Sequence, residues 1–384
     1  MTIDRRLRSG TAPNRTTLAI WLLTAVCMVV SAFTWRLPHA NGLAPVLLST
    51  VVGCAALAAV MFALSRTAWR LLGREAAVAT CLMVPLNPLV LEVFLPGPLS
   101  GTTWSLAATA LCIGCLSLRQ ADHGAALAGA VMAAGCATGP LWPVAATIGA
   151  LLFIRWLVDC RAAGLFGVFV KAFVAVSLPI LAAQHWLAGE GICASDHLGQ
   201  GAALLVLLLG TLILERTPRL APAVLGGSMA AVVATAFALY LIVPDACSAA
   251  PAVFAADRTV AEAGFSLIPS LTALGACWYL LRHNEAWLRR WWTEYAAILG
   301  AATLGGILVA ELAAVAALLA AMPLGWLAAQ LLLGRQRMRG KGWWPASLAV
   351  LVVMASVMNQ TAAEPRAQTE PGSTVLAAVS DPVR

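Results

Sequence analysis

The chain has 384 residues, 61% of them hydrophobic and 11% charged, and a mean hydropathy of +0.87, which excludes a water-soluble core wrapped in polar surface. At ~20 apolar residues per helical crossing the length holds well over ten crossings and leaves little for a soluble domain. The net charge of +7 does not point to nucleic acid, because the basic residues stand in small groups beside apolar runs instead of along one face or arm.

Apolar runs bounded by charges or by Pro and Gly fall at 17–35, 43–64, 75–95, 102–118, 124–138, 140–158, 167–186, 201–214, 221–243, 265–281, 295–312, 314–333 and 343–358. A bilayer admits only segments whose backbone groups are satisfied internally, so the chain reads as an all-α, polytopic transmembrane bundle of about 13 helices spanning 17–358. Residues 1–16, with Arg5, Arg6, Arg8 and Arg15, form a short segment before the first run. They imitate a secretory signal, but "SAFTWRLPHANG" lacks a small-x-small cleavage pattern, and the first run is expected to be retained as a helix.

The third run, "MVPLNPLVLEVFLPGPLSG", carries Pro85, Asn87, Pro88, Glu92, Pro96 and Pro98, so its last turns should be kinked or unwound. The fourth contains Cys112 and Cys115 as a C-x-x-C; inside an apolar helix these are packing thiols, not a redox pair. The fifth, "GAALAGAVMAAG", lets neighbouring helices approach closely where lipid removes any hydrophobic drive between them. Further on, "HNEAWLRRWWTEY" sets Trp287, Trp291, Trp292 and Tyr295 beside Arg289 and Arg290, an expected anchor in the headgroup layer, and "GRQRMRGKGWW" repeats the arrangement. Residues 359–384 are polar, Pro-containing and patternless, and read as a disordered tail.

If the amino terminus is cytoplasmic, only Arg36, Arg258, Arg366 and Arg384 of the 24 Lys and Arg residues fall outside. That bias sets the amino terminus inside and the carboxyl terminus outside. The outer face then collects the remaining polar groups: Arg36, His39, Glu92, then Glu190, Cys193, Asp196 and His197, then Asp245, Cys247, Asp257, Arg258 and Glu262, with Glu311 near the outer end of its helix. Two readings stay open for them, an outer-face site or solvated loop residues that hold topology. Cys193 and Cys247 lie outside the spans on the oxidising side, so a disulfide tying the two largest outer loops is expected, with free thiols as the alternative. No metal-ligand set is evident, and the chain has no P-loop, Rossmann fingerprint, H-E-x-x-H or nucleophile elbow; a soluble-type catalytic module is not part of the expectation.

Between Trp35 and His283 the order of segments resembles bacterial polytopic membrane glycosyltransferases of the GT-C type, which use polyprenyl-linked sugars on the outer face. The residues that carry the likeness are "LPGPLSGTTWSLA", "AALAGAVMAAGCATGPLWPVAATIGALLFIRWL", "CASDHLGQ" and "VPDACSAAPAVFAADRTVAEA", about two thirds of the chain. The shared frame is Gly97, Trp104, Cys193, Cys247, Pro251 and Asp257. The departures fall on chemistry: the first outer loop, "RLPHANG", has no Asp or Glu, and the family's Asp-His-His cluster is replaced by Ser100, Gly101 and Thr102.

The resemblance implies a GT-C-like bundle in a bacterial inner membrane, associated with envelope or exopolysaccharide glycan assembly, as a degenerate member without autonomous catalysis. Its implied partners are polyprenyl-phosphate lipids or other glycan assembly proteins. If the chain is catalytic, Asp196, Asp257 or Glu262 must supply the missing carboxylate, with a divalent cation as cofactor. The alternative is a noncatalytic scaffold or partner subunit. A transporter calls for midplane ionisable residues and internal repeats; Glu92 and Glu311 lie toward helix ends, and the two halves show no repetition.

Overall fold

The computed structural model of the chain describes residues 43–94, 101–118, 121–159, 163–188, 194–217, 221–242 and 260–337. All belong to the first of two compact units, Met1–Arg339; the second, Gly340–Arg384, lies outside the described residues. The described residues are 94% helical and hold no strand. Twelve helices follow one another: α1 (Leu43–Leu72), α2 (Arg74–Leu86), α3 (Pro88–Phe94), α4 (Gly101–Leu116), α5 (Ala121–Thr138), α6 (Trp142–Val158), α7 (Ala163–Ala188), α8 (Ala194–Arg216), α9 (Pro222–Ile242), α10 (Val260–His283), α11 (Ala286–Leu308) and α12 (Ala310–Arg337). The expected helices at 17–35 and 343–358 and the expected tail at 359–384 fall outside the described residues.

Five helices contain windows long and apolar enough to cross a bilayer: Val51–Leu72, Gly164–Gln184, Gly199–Arg216, Pro222–Leu239 and Glu311–Leu331. The chain is therefore a multi-pass membrane protein, and large apolar side chains such as Val51, Ile213, Phe237 and Leu304 face outward, as lipid permits.

Within 43–333 eleven helices were expected and twelve are seen, because 75–95 is two helices. Pro88 pushes the residue before it out of the α region, and Asn87 takes an extended conformation, φ −82° and ψ 116°. Its side-chain oxygen accepts a hydrogen bond from the Leu89 backbone at 3.1 Å, which caps the short α3 and keeps the buried amide satisfied. The largest other departures lengthen helices. α1 runs on through "SRTAWRLL" and α11 starts nine residues before its expected limit, since Arg and Trp side chains at helical spacing can continue a helix out of the apolar layer.

Helix α12 lies at the centre, against α2, α10 and α11, with lighter contacts to α4, α3 and α1. Its Ala-rich surface admits helices on every side, and Gly325 lets α2 come so close that a Cβ there would lie 2.5 Å from the Thr80 amide nitrogen. Helix α4 is likewise buried on all faces from Thr103 to Cys115. From α4 the packing runs through α5 and α7 to the outlying pair α8 and α9.

Pro323 removes the backbone donor that the Leu319 carbonyl expects within α12, and the Tyr295 hydroxyl of α11 donates to that carbonyl instead. The expected headgroup anchor at 287–295 is corrected accordingly: Trp287 is half exposed, but Trp292 and Tyr295 are buried, Tyr295 against α12, and only the exposed part of that stretch can meet headgroups. Buried threonines solve the same accounting problem locally, with Thr67, Thr109, Thr211 and Thr303 each donating to the carbonyl four residues before, at 2.7 to 2.8 Å.

Candidate functional site

Successive long helices alternate direction, so their termini gather at two ends. One end holds Arg66, Arg70 and Arg74 of the α1–α2 junction, Arg155, Lys171, Arg216, Arg282, Arg289 and Arg290. Among the described residues two interhelical ion pairs stand there. Arg155 of α6 grips Glu294 of α11 through two nitrogens, with Arg290 a further 3.5 Å contact to the same carboxylate. Lys171 of α7 meets Glu215 of α8 at 2.5 Å, and Glu215 rests where Gly167 carries no side chain. The acidic partners escaped the sequence reading, which took Arg155 and Lys171 as topology signals alone. The only clue was that each acid stands beside or one turn from an arginine, Arg216 or Arg290.

The opposite end receives every sequence-predicted site residue whose backbone is described. Asp196 and His197, expected in a loop, lie in the first turn of α8, which starts at Ala194; Glu262, also expected in a loop, lies in the first turn of α10, which starts at Val260. Glu92 is in α3. The side chains of these four are outside the described ones. Glu190, Asp245, Asp257 and Arg258, with the disulfide candidates Cys193 and Cys247, are outside the described residues altogether. The first turns of α8 and α10 are not drawn together by helix packing, since α8 lies on α7 and α9 while α10 lies on α11 and α12.

Glu311 is the one predicted site residue with a described side chain. It was expected at the outer end of 295–312; the structure breaks the chain at Val309, in an extended conformation of φ −122° and ψ 119°, and sets Glu311 in the first turn of α12. A carboxylate there complements the positive end of the helix. Its Oε2 is buried and lies 3.3 Å from where a Cβ on Gly139 would stand, and the Ser105 hydroxyl of α4 lies 2.2 Å from the same point. Ser105 is fully buried, and among the described residues its hydroxyl has no hydrogen-bond partner. Gly139, in the α5–α6 turn, thus lets a carboxylate and a hydroxyl from two other helices meet the backbone, a convergence that no spacing in the sequence announces. Nearby, Gln184 of α7 donates to the Ala137 carbonyl at 3.4 Å.

Gly101 and Thr102, the first residues of α4, are also at this end. Gly101 opens α4 against the end of α5, and a Cβ on it would lie 2.0 Å from the Thr138 carbonyl oxygen. Trp104 is buried, and Thr103 donates to the Val93 carbonyl of α3 at 3.1 Å.

Cys112 and Cys115 are buried and free, in keeping with packing thiols. Among the described residues no group of three or more His, Cys, Asp or Glu is placed to hold a metal ion. No protein-family model, curated protein or solved structure matches the chain.

Proposed function

We propose that this chain is an inner-membrane component of envelope or exopolysaccharide glycan assembly, built on a GT-C-like frame of about 13 helices but without catalysis of its own. The amino terminus lies in the cytoplasm, and polyprenyl-phosphate lipids or other assembly proteins are its partners. The observation that supports the loss of catalysis is the closed seat at Gly101. At the middle of the three positions where enzymes of the resembled group place Asp-His-His, this chain has a glycine whose Cβ position is already filled by the Thr138 carbonyl, so no imidazole fits there unless the backbone shifts. The first outer loop, "RLPHANG", offers no carboxylate in compensation.

A transferase that uses other acids is the second reading, favoured by the presence of Asp196, Glu262 and Glu311 at one end of the bundle. Purified chain supplied with polyprenyl-linked sugars and a divalent cation separates the two. The proposal expects no transfer, and expects Asp196→Asn and Asp257→Asn to change abundance or co-purification with a partner. Turnover by the isolated chain that is lost on either substitution, at normal membrane levels, overturns it. The orientation is checked by reporters: a cytoplasm-only reporter is active after Arg119 or Arg219, and an exterior-only reporter after Gly191.

A further inference from the structure

The basic end carries an exposed feature that the ion pairs leave unused. Along α10, Ala273, Ala276, Cys277 and Leu280 face the bundle and are buried. Leu271, Gly275, Trp278 and Arg282, spaced four, three and four residues apart, form the opposite face. Leu271 is 57% exposed and Trp278 58%, and nothing lies within 4 Å of a Cβ built on Gly275, so the glycine leaves a shallow gap in an apolar stripe. At ~1.5 Å per residue the stripe is about 16 Å long, close to one leaflet of a ~30 Å hydrocarbon core.

The stripe ends in positive charge. The Arg282 guanidinium lies 4.6 Å from the centre of the Trp278 ring, which holds it over the apolar face without neutralising it. Arg289, across the α10–α11 turn, reaches back to the Asn284 carbonyl at 3.4 Å, which brings a second guanidinium toward the end of α10. Tyr279 and His283 stack beside them at 4.1 Å. Arg290 is drawn to Glu294, but among the described residues no ion pair takes up Arg282 or Arg289. The single acid of the turn, Glu285, occupies the N-cap position of α11 and pairs with neither.

We propose that this face of α10 binds one anionic phospholipid, with an acyl chain along Leu271, Gly275 and Trp278 and the phosphate between Arg282 and Arg289. Two guanidiniums suit a phosphate diester, since each presents a planar fork of donors. The continuous apolar stripe below them selects a lipid over a soluble phosphate, which has nothing to lay there.

The test uses the full chain, delipidated in detergent and mixed with equal amounts of phosphatidylglycerol and phosphatidylcholine, with bound lipid counted by native mass spectrometry. The chain should retain phosphatidylglycerol about tenfold over phosphatidylcholine, and the Arg282→Gln, Arg289→Gln double variant should lose that preference. Gly275→Leu, which fills the gap without touching charge, should lower retention of the same lipid. Arg216→Gln, at the same end on α8, should leave the preference intact. Equal retention of the two lipids by the unmodified chain overturns the proposal, as does an equal loss in Arg216→Gln and the double variant. If the double variant does not assemble, undiminished retention by Gly275→Leu overturns it.

Discussion

Helices α9 and α12 are built from the same kinds of residue and end at opposite extremes of burial. Each carries an apolar window of 18 residues or more rich in Ala, Leu and Val, yet 83% of the window is buried in α12 and 11% in α9. In water such a difference would show in sequence as one polar face. In lipid an exposed face is as apolar as a buried one, and the distinction moves to contacts that composition does not encode. Helix α12 meets α2 through Gly325, takes the Tyr295 hydroxyl on the carbonyl that Pro323 leaves without a donor, and tucks Glu311 beside Gly139. Helix α9 has two adjacent glycines, Gly226 and Gly227, with nothing within 4 Å of either added Cβ.

The largest effect that this comparison forecasts is at the inner wall around α12. Trp292→Ala removes a fully buried ring and should cost about 3–5 kcal/mol in thermal or denaturant unfolding in detergent, whereas Trp287→Ala, half exposed, should change stability by less than about 0.5 kcal/mol. Equal costs at the two tryptophans would restore the reading of the whole stretch as a headgroup anchor.

Gly325→Ala places a methyl 2.5 Å from the Thr80 backbone and should lower stability by about 1–3 kcal/mol, visible as a reduced Tm. Tyr295→Phe leaves the Leu319 carbonyl without its donor and should cost about 1–3 kcal/mol. That loss has a sharper form. In a Pro323→Ala background the helix regains its own N–H, and Tyr295→Phe should then cost less than about 0.5 kcal/mol. A double-mutant cycle with no coupling breaks the account of how α12 is completed.

The smallest effect belongs to α9. Gly227→Ala meets no neighbour and lowers the backbone entropy of the unfolded chain, so it should be neutral or stabilise by up to about 1 kcal/mol. A loss of stability as large as that of Gly325→Ala would place a tightly packed partner on α9.

By itself the sequence determined that the chain is helical and lives in a membrane, since long apolar runs broken by basic residues, Pro and Gly have no other stable form in lipid. It announced a distortion late in 75–95, because Pro88 excludes the α region from the residue before it, but not that the chain resumes at once as a second helix. Charge placement announced the basic end, as topology, without announcing that Glu294 and Glu215 would take up Arg155 and Lys171 from neighbouring helices. Only the tertiary structure decided that α12 is the centre and α9 the periphery, that Trp292 and Tyr295 are core, and that Gly101, Ser105, Gly139 and Glu311 share one end. Those outcomes depend on distances of a few ångströms between residues far apart in the chain, and apolar patterning, which is nearly uniform around these helices, carries no record of which face meets which neighbour.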